Sequence, residues 1–235
     1  MALPKIKVPT YSLELPSTGK KIEYRSFLVK EQKLLLIAQE SNNEDEIFNA
    51  IKTIVESCTF GKIDASNAPL FDIEYIFIKM RGKSVGEKVK LNVTCPDDEK
   101  TKVPVEVNLE DINVQMTKNH TNEINLTDNI KLIMKYPILS DMKNIKTDGG
   151  QSDFIFDILE HCIQEIHEGE TVFNKVDITK KDLEEFIDQF TIDQLNDVIQ
   201  FFDTMPKLRH IVNVTNPKTK VKSEVVLEGM NSFLV

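Results

Sequence analysis

Apolar and polar residues alternate through Asn92-Val93-Thr94, enter the turn Cys95-Pro96 and alternate again through Glu106-Val107-Asn108-Leu109-Glu110. A period of two on both sides of a Pro-containing turn predicts two strands joined as a β-hairpin. The same text returns 121 residues later as Asn213-Val214-Thr215-Asn216-Pro217, followed by Glu224-Val225-Val226-Leu227-Glu228. One supersecondary unit written twice predicts a duplicated architecture.

The likeness extends upstream. Ile47, Ile51, Ile54 and Cys58 recur at steps of four, three and four, which stack side chains on one helical face. Ile155, Leu159, Cys162 and Ile166 repeat those steps 108 residues on, so a helix running through His161–His167 is expected. Ahead of each helix lies a strand-like stretch, around Ile22–Val29 and around Ile130–Ile138. Between helix and hairpin each half carries a further helical stretch, over 71–80 and 195–202.

The second half is longer, and the extra residues fall near 168–191 as one added helix. Thr179 with Asp182, and Thr191 with Gln194, place a hydroxyl three residues before a polar side chain, the signature of a capped helix start. The predicted fold is α+β, with two related halves, each a strand pair, two or three helices and then a β-hairpin. The halves are expected at 1–115, with an N-terminal arm over 1–10, and at 116–235, with the extra helix and a short C-terminal tail.

Charge and composition narrow the function. The chain has 235 residues, 29 basic and 38 acidic, for a net charge of −9. That charge repels phosphate backbones, and no basic stripe interleaved with aromatics appears, so nucleic acid is not an expected partner. The longest apolar run, Leu34–Ala38, is far short of the roughly 20 residues that span a bilayer, so no membrane partner is expected either. Pro4, Lys5, Lys7 and Pro9 interrupt any apolar leader, so the chain is expected to stay in the cytosol where it is made. Three cysteines, at 58, 95 and 162, are too few and odd in number for a disulfide framework.

Candidate chemistry is sparse. Leu15-Pro16-Ser17-Thr18-Gly19-Lys20 lacks the first Gly and the Ser/Thr after Lys that a phosphate loop needs, and reads as a turn between strands. His161, Cys162, Glu165 and His167 are the densest set of potential ligands, but on a helix Cys162 faces the core while His161 and Glu165 face elsewhere. Cys95 sits where a zinc knuckle would place its first cysteine, yet Asp98 stands three residues on. Catalytic residues, a metal, a cofactor and a small-molecule substrate are therefore not expected. The enzymatic rival is a metal-dependent hydrolase using His161, His167 and nearby carboxylates.

Surface for a protein partner is what remains. Tyr and Arg anchor interfaces more often than other residue types. Tyr24, Arg25 and Arg81 are expected to be exposed for that purpose. Phe233, in the apolar run Met230–Val235, is expected to dock on its own hairpin or on another chain.

Several stretches together resemble a known family. Leu15-Pro16-Ser17-Thr18-Gly19-Lys20-Lys21, Tyr24-Arg25, Phe27–Glu31, Phe71–Tyr75 and Arg81–Glu87 are similar to the baseplate hub assembly protein (chaperone) family of T-even-type contractile-tailed bacteriophages. The likeness is strongest over 1–96 and beyond that rests on Leu227-Glu228-Gly229. It implies a late viral protein of the host cytoplasm that helps build the central hub of the tail baseplate by contacts with hub proteins. A permanent minor subunit of the virion baseplate is the structural rival. None of the shared stretches is a catalytic signature, so the resemblance carries no site residue.

Overall fold

The computed structural model describes residues 6–41, 43–142 and 151–233, so the start of the expected N-terminal arm, 1–5, and the end of the tail, 234–235, lie outside the described residues. The fold is α+β, with seven α-helices and eleven strands among the described residues, the strands grouped in small antiparallel sheets. The chain forms two compact units, one built from Met1–Gln115 with Lys207–Val235 and one from Met116–Pro206. This corrects the expected division at 116–235: the second long hairpin returns to the unit that holds the first.

The first unit begins with β1 (Thr10–Glu14) and β2 (Lys21–Arg25), paired antiparallel from Thr10↔Arg25 to Glu14↔Lys21. Their connection turns at Gly19, whose φ of +67° is open to glycine at little steric cost. That turn is tied to the helix layer, because Ser17 donates its backbone N–H at 3.0 Å and its hydroxyl to the buried carboxylate of Asp72. Helices α1 (Val29–Ser41) and α2 (Glu44–Cys58) follow, α2 capped by the Asn43 side chain. Ile51, Ile54 and Cys58 are buried, as their spacing predicts.

Helix α3 (Leu70–Val85) is the centre of this unit. Ile73, Ile76, Phe77, Ile78 and Met80 are wholly buried, so it is apolar on more than one face and is covered from several sides. It is followed by the hairpin β3 (Lys88–Thr94) and β4 (Lys102–Asn108), a 3-10 turn (Leu109–Asp111) and the short strand β5 (Asn113–Gln115). The hairpin β10 (Lys207–Thr215) and β11 (Lys222–Glu228) joins β5 in a sheet of order β11-β10-β5, then ends in a second 3-10 turn (Met230–Phe233).

The second unit is built on one antiparallel sheet, β6 (Glu123–Asn125), β7 (Ile130–Met134), β8 (Ile163–Glu168) and β9 (Thr171–Asn174), in that order. Around it are α4 (Leu139–Met142), α5 (Gln151–Cys162), α6 (Lys180–Ile187) and α7 (Ile192–Thr204). Its core joins Leu132, Leu159, Cys162, Ile163, Leu183, Val198 and Phe201. Both predicted caps form: Thr179 accepts from the Asp182 N–H, and Thr191 with Gln194 makes a reciprocal capping box.

The expected helix through His161–His167 is corrected: α5 stops at Cys162 and the next six residues are β8. The inserted segment is accordingly a β8–β9 hairpin together with α6, where one helix was expected. Ile133 pairs with Glu165 but Met134 pairs with Ile163, so Gln164 is an unpaired bulge residue. The bulge puts Ile163 and Ile166, three residues apart, on one buried face, which imitates helical spacing. Ile155 lies in α5, and its side chain is outside the described set.

Candidate functional site

The two long hairpins are one structure made twice. Thr94 pairs with Lys102 and Thr215 with Lys222. In the first turn the Glu99 N–H donates to the Cys95 carbonyl at 3.0 Å; in the second the Lys220 N–H donates to the Asn216 carbonyl at 2.9 Å. Glu99 and Lys220 both hold a left-handed backbone, at φ +53° and +66°. Working back from the turns, rung matches rung: Asn92–Pro104 with Asn213–Glu224, Lys90–Glu106 with Ile211–Val226, Lys88–Asn108 with Arg209–Glu228. The expected match of Glu106 with Glu224 is therefore shifted by two residues, and Glu110, expected as the counterpart of Glu228, lies beyond the strand in the 3-10 turn.

The inner faces of both hairpins are apolar, but the outer faces differ. Lys88 and Glu106 bridge at 2.8 Å on the first. On the second, Ile211 and Val226 face each other across the strands and are 48% and 52% exposed. An apolar cross-strand pair left in solvent, at the rung where the sister hairpin is charged, is a feature with no role in the core.

The tips are locked together. Asn216, wholly buried, donates its side-chain amide to both carboxylate oxygens of Asp97 at 3.1 and 3.0 Å, and the Thr219 hydroxyl donates to the same carboxylate. The Asn216 side-chain oxygen accepts from the Lys218 N–H at 2.9 Å. Asp98 accepts from the hydroxyl and N–H of Thr101, which hold its carboxyl well below the usual range. Cys95, at the place of Asn216, is buried, and its thiol is pushed up by burial and by Asp97 and Asp98.

Both 3-10 turns seat on α3. Lys79, itself buried, donates to the carbonyls of Glu110 at 2.6 Å and Leu109 at 3.4 Å. On the other exit Glu74 accepts from the Met230 N–H at 3.0 Å, and Arg81 donates to the Phe233 carbonyl. Desolvation raises Glu74 from 4.5 to about 7, with the Glu228 charge adding to the rise.

Tyr24, Arg25 and Arg81, expected to be exposed for a partner, are built into the fold, and Phe233 takes one of its two expected places, docked within its own chain. Tyr24 is 3% exposed, lies against Tyr11, and has its hydroxyl pushed up to about 12 by burial. Arg25 is buried against Glu31 at 2.9 Å and donates to Ser57. Burial alone would raise Glu31, but Arg25, the Leu28 N–H and Ser57 hold it down at about 2. Arg81 is half-buried on the C-terminal turn and Phe233 is completely buried. The expectation that Tyr24 and Arg25 are exposed fails because the β1–β2 ribbon turns that end of β2 inward. Ile211 and Val226 are exposed apolar residues that face each other across a hairpin, and their charged counterparts Lys90 and Glu106 are identified once the two hairpins are aligned in register.

The titratable groups of the expected cluster are dispersed. All three thiols are buried, with Cys58 raised to about 11 and Cys162 to about 12 by desolvation. His167 contacts Glu165 at 2.7 Å and His161 contacts Asp141 at 3.6 Å, so the two histidines of the expected cluster face different partners. Among the described residues, no group of three or more His, Cys, Asp or Glu is placed to hold a metal ion, and no helix is long and apolar enough to cross a membrane.

The family model of the T4 bacteriophage base plate protein matches residues 8–235. The chain belongs to this base plate protein family. The match covers both units and both hairpins, so it concerns the whole architecture. No curated protein and no solved structure matches the chain. Membership of a baseplate family makes other phage baseplate proteins its partners.

Proposed function

We propose that this baseplate protein is a non-enzymatic assembly factor for the central hub of a contractile-tail baseplate, acting in the infected host cytoplasm through protein contacts. The observation that carries this reading is the exposed Ile211–Val226 rung on a hairpin whose tip is pinned to its sister. A rigid two-stranded ribbon with one apolar rung offers a pre-ordered contact, which lowers the entropy cost of binding. Buried thiols and dispersed histidines favour contact over catalysis as its means of action.

The test is co-expression with each hub protein of the same phage, followed by pull-down. Ile211→Lys with Val226→Glu gives the second hairpin the rung of the first, so the fold has a precedent for it. One hub protein is expected to be captured by the native chain and at least tenfold less by the double variant, with circular dichroism unchanged. Capture of no hub protein by the native chain overturns the reading.

A further inference from the structure

In the second unit a row of apolar residues crosses the sheet on one face: Ile124 opposite Leu132, Leu132 opposite Ile166, Ile166 opposite Phe173. The first three are buried, but Phe173, on the edge strand β9, is 43% exposed. Leu183 and Ile187 of α6 share the core of the first three, and Phe173 is left partly open. Between Phe173, Ile178 and Phe186 the core surfaces as a mainly apolar groove of about 460 Å³.

The rim of this groove is acidic. Glu168, Asp177 and Asp182 line it, and among the described residues none of the three is in an ion pair. The nearby lysines are engaged elsewhere, Lys175 and Lys180 with Glu160 and Lys181 with Glu185. Among the described residues no strand lies beyond the edge of β9, so its backbone groups can pair with an added strand.

We infer that this groove receives an extended segment of a partner protein in which a bulky apolar side chain is flanked by Lys or Arg. The apolar side chain fills the space beside Phe173, the flanking cations meet the three carboxylates, and the segment's backbone pairs with β9. Charge complementarity of this kind sets specificity and association rate more than raw affinity, so binding weakens as salt is raised. The inference rests on the protein-contact reading above but uses a separate surface.

The test uses the full-length chain and two capped hexapeptides, Lys-Leu-Lys-Phe-Lys-Leu and its charge-reversed form Glu-Leu-Glu-Phe-Glu-Leu. Isothermal titration should show binding of the basic peptide only, with backbone amide shifts confined to β9, α6 and the segment between them. Phe173→Asp and Asp177→Lys, both at exposed positions, should each weaken binding at least tenfold. Absence of binding, equal binding of both peptides, or variants that bind like the native chain would each overturn the inference. So would a dimer in sedimentation that Phe173→Asp dissociates, since the occupant is then a second copy. Peptide binding without hub capture leaves the groove standing and sinks the assembly reading; hub capture without peptide binding does the reverse.

Discussion

Asn216 and Asp97, 119 residues apart in the chain, join the tips of the two equivalent hairpins through a two-pronged, charge-assisted hydrogen bond. Cys95, at the equivalent place, supports the same i to i+4 turn bond without a side-chain amide. Tip locking is thus separable from turn formation. Asn216→Ala should cost about 1–3 kcal/mol in urea unfolding, because it leaves the turn N–H of Lys218 and the Asp97 carboxylate short of partners. Asp97→Ala should cost a comparable amount, since it leaves the wholly buried Asn216 amide without this acceptor.

Glu74 predicts an unusual pH dependence. Its carboxyl is raised from 4.5 to about 7, so the folded protein holds a proton that the unfolded chain releases. The native state is favoured most below pH 4.5, loses stability as pH rises through that interval, and carries the full penalty above 7. For a half-buried group that penalty is on the order of 2 kcal/mol. Glu74→Gln keeps an acceptor for Met230 and should stabilise the protein at pH 8 while changing little at pH 4.5, read as a shift of the urea midpoint.

The Arg25–Glu31 pair has the opposite sign. Glu31 is held at about 2 against its ordinary 4.5, so it contributes stability above 4.5 that is lost as pH falls toward 2. Glu31→Ala strands the Arg25 guanidinium inside the fold and should cost about 3–5 kcal/mol at pH 7. The difference from the native protein in denaturant unfolding should shrink steadily below pH 4.5.

Phe233 is an internal anchor. It is fully buried at the end of the chain, beside the Met230–Glu74 and Phe233–Arg81 links to α3. Phe233→Ala should cost about 3–5 kcal/mol of cavity and transfer energy in guanidinium unfolding. A loss of partner binding with unchanged stability would instead assign Phe233 to another chain, the second of its two expected places.

Much of this architecture was legible because local chemistry wrote it twice. Pro-containing turns, period-two strands and Thr caps are set by neighbours in sequence, so the hairpins and the starts of α6 and α7 could be read directly. What escaped was set by distant partners. The bulge at Gln164 follows from pairing with β7 and disguised β8 as helix. The return of β10 to β5 moved the domain boundary to residue 207. Tyr24 and Arg25 have interface-like side chains, yet Arg25 is satisfied by Glu31 and Ser57, partners that composition does not reveal. The outer-face contrast between Lys90–Glu106 and Ile211–Val226 became visible only once the rungs were in register.

The central claim, a transient assembly factor, is tested most directly by quantitative mass spectrometry of purified phage tails beside the infected-cell lysate. The account predicts abundant protein in the lysate and none, or a strongly substoichiometric trace, in finished tails. A fixed whole-number stoichiometry with the hub proteins in purified tails would contradict it and make the chain a permanent baseplate subunit.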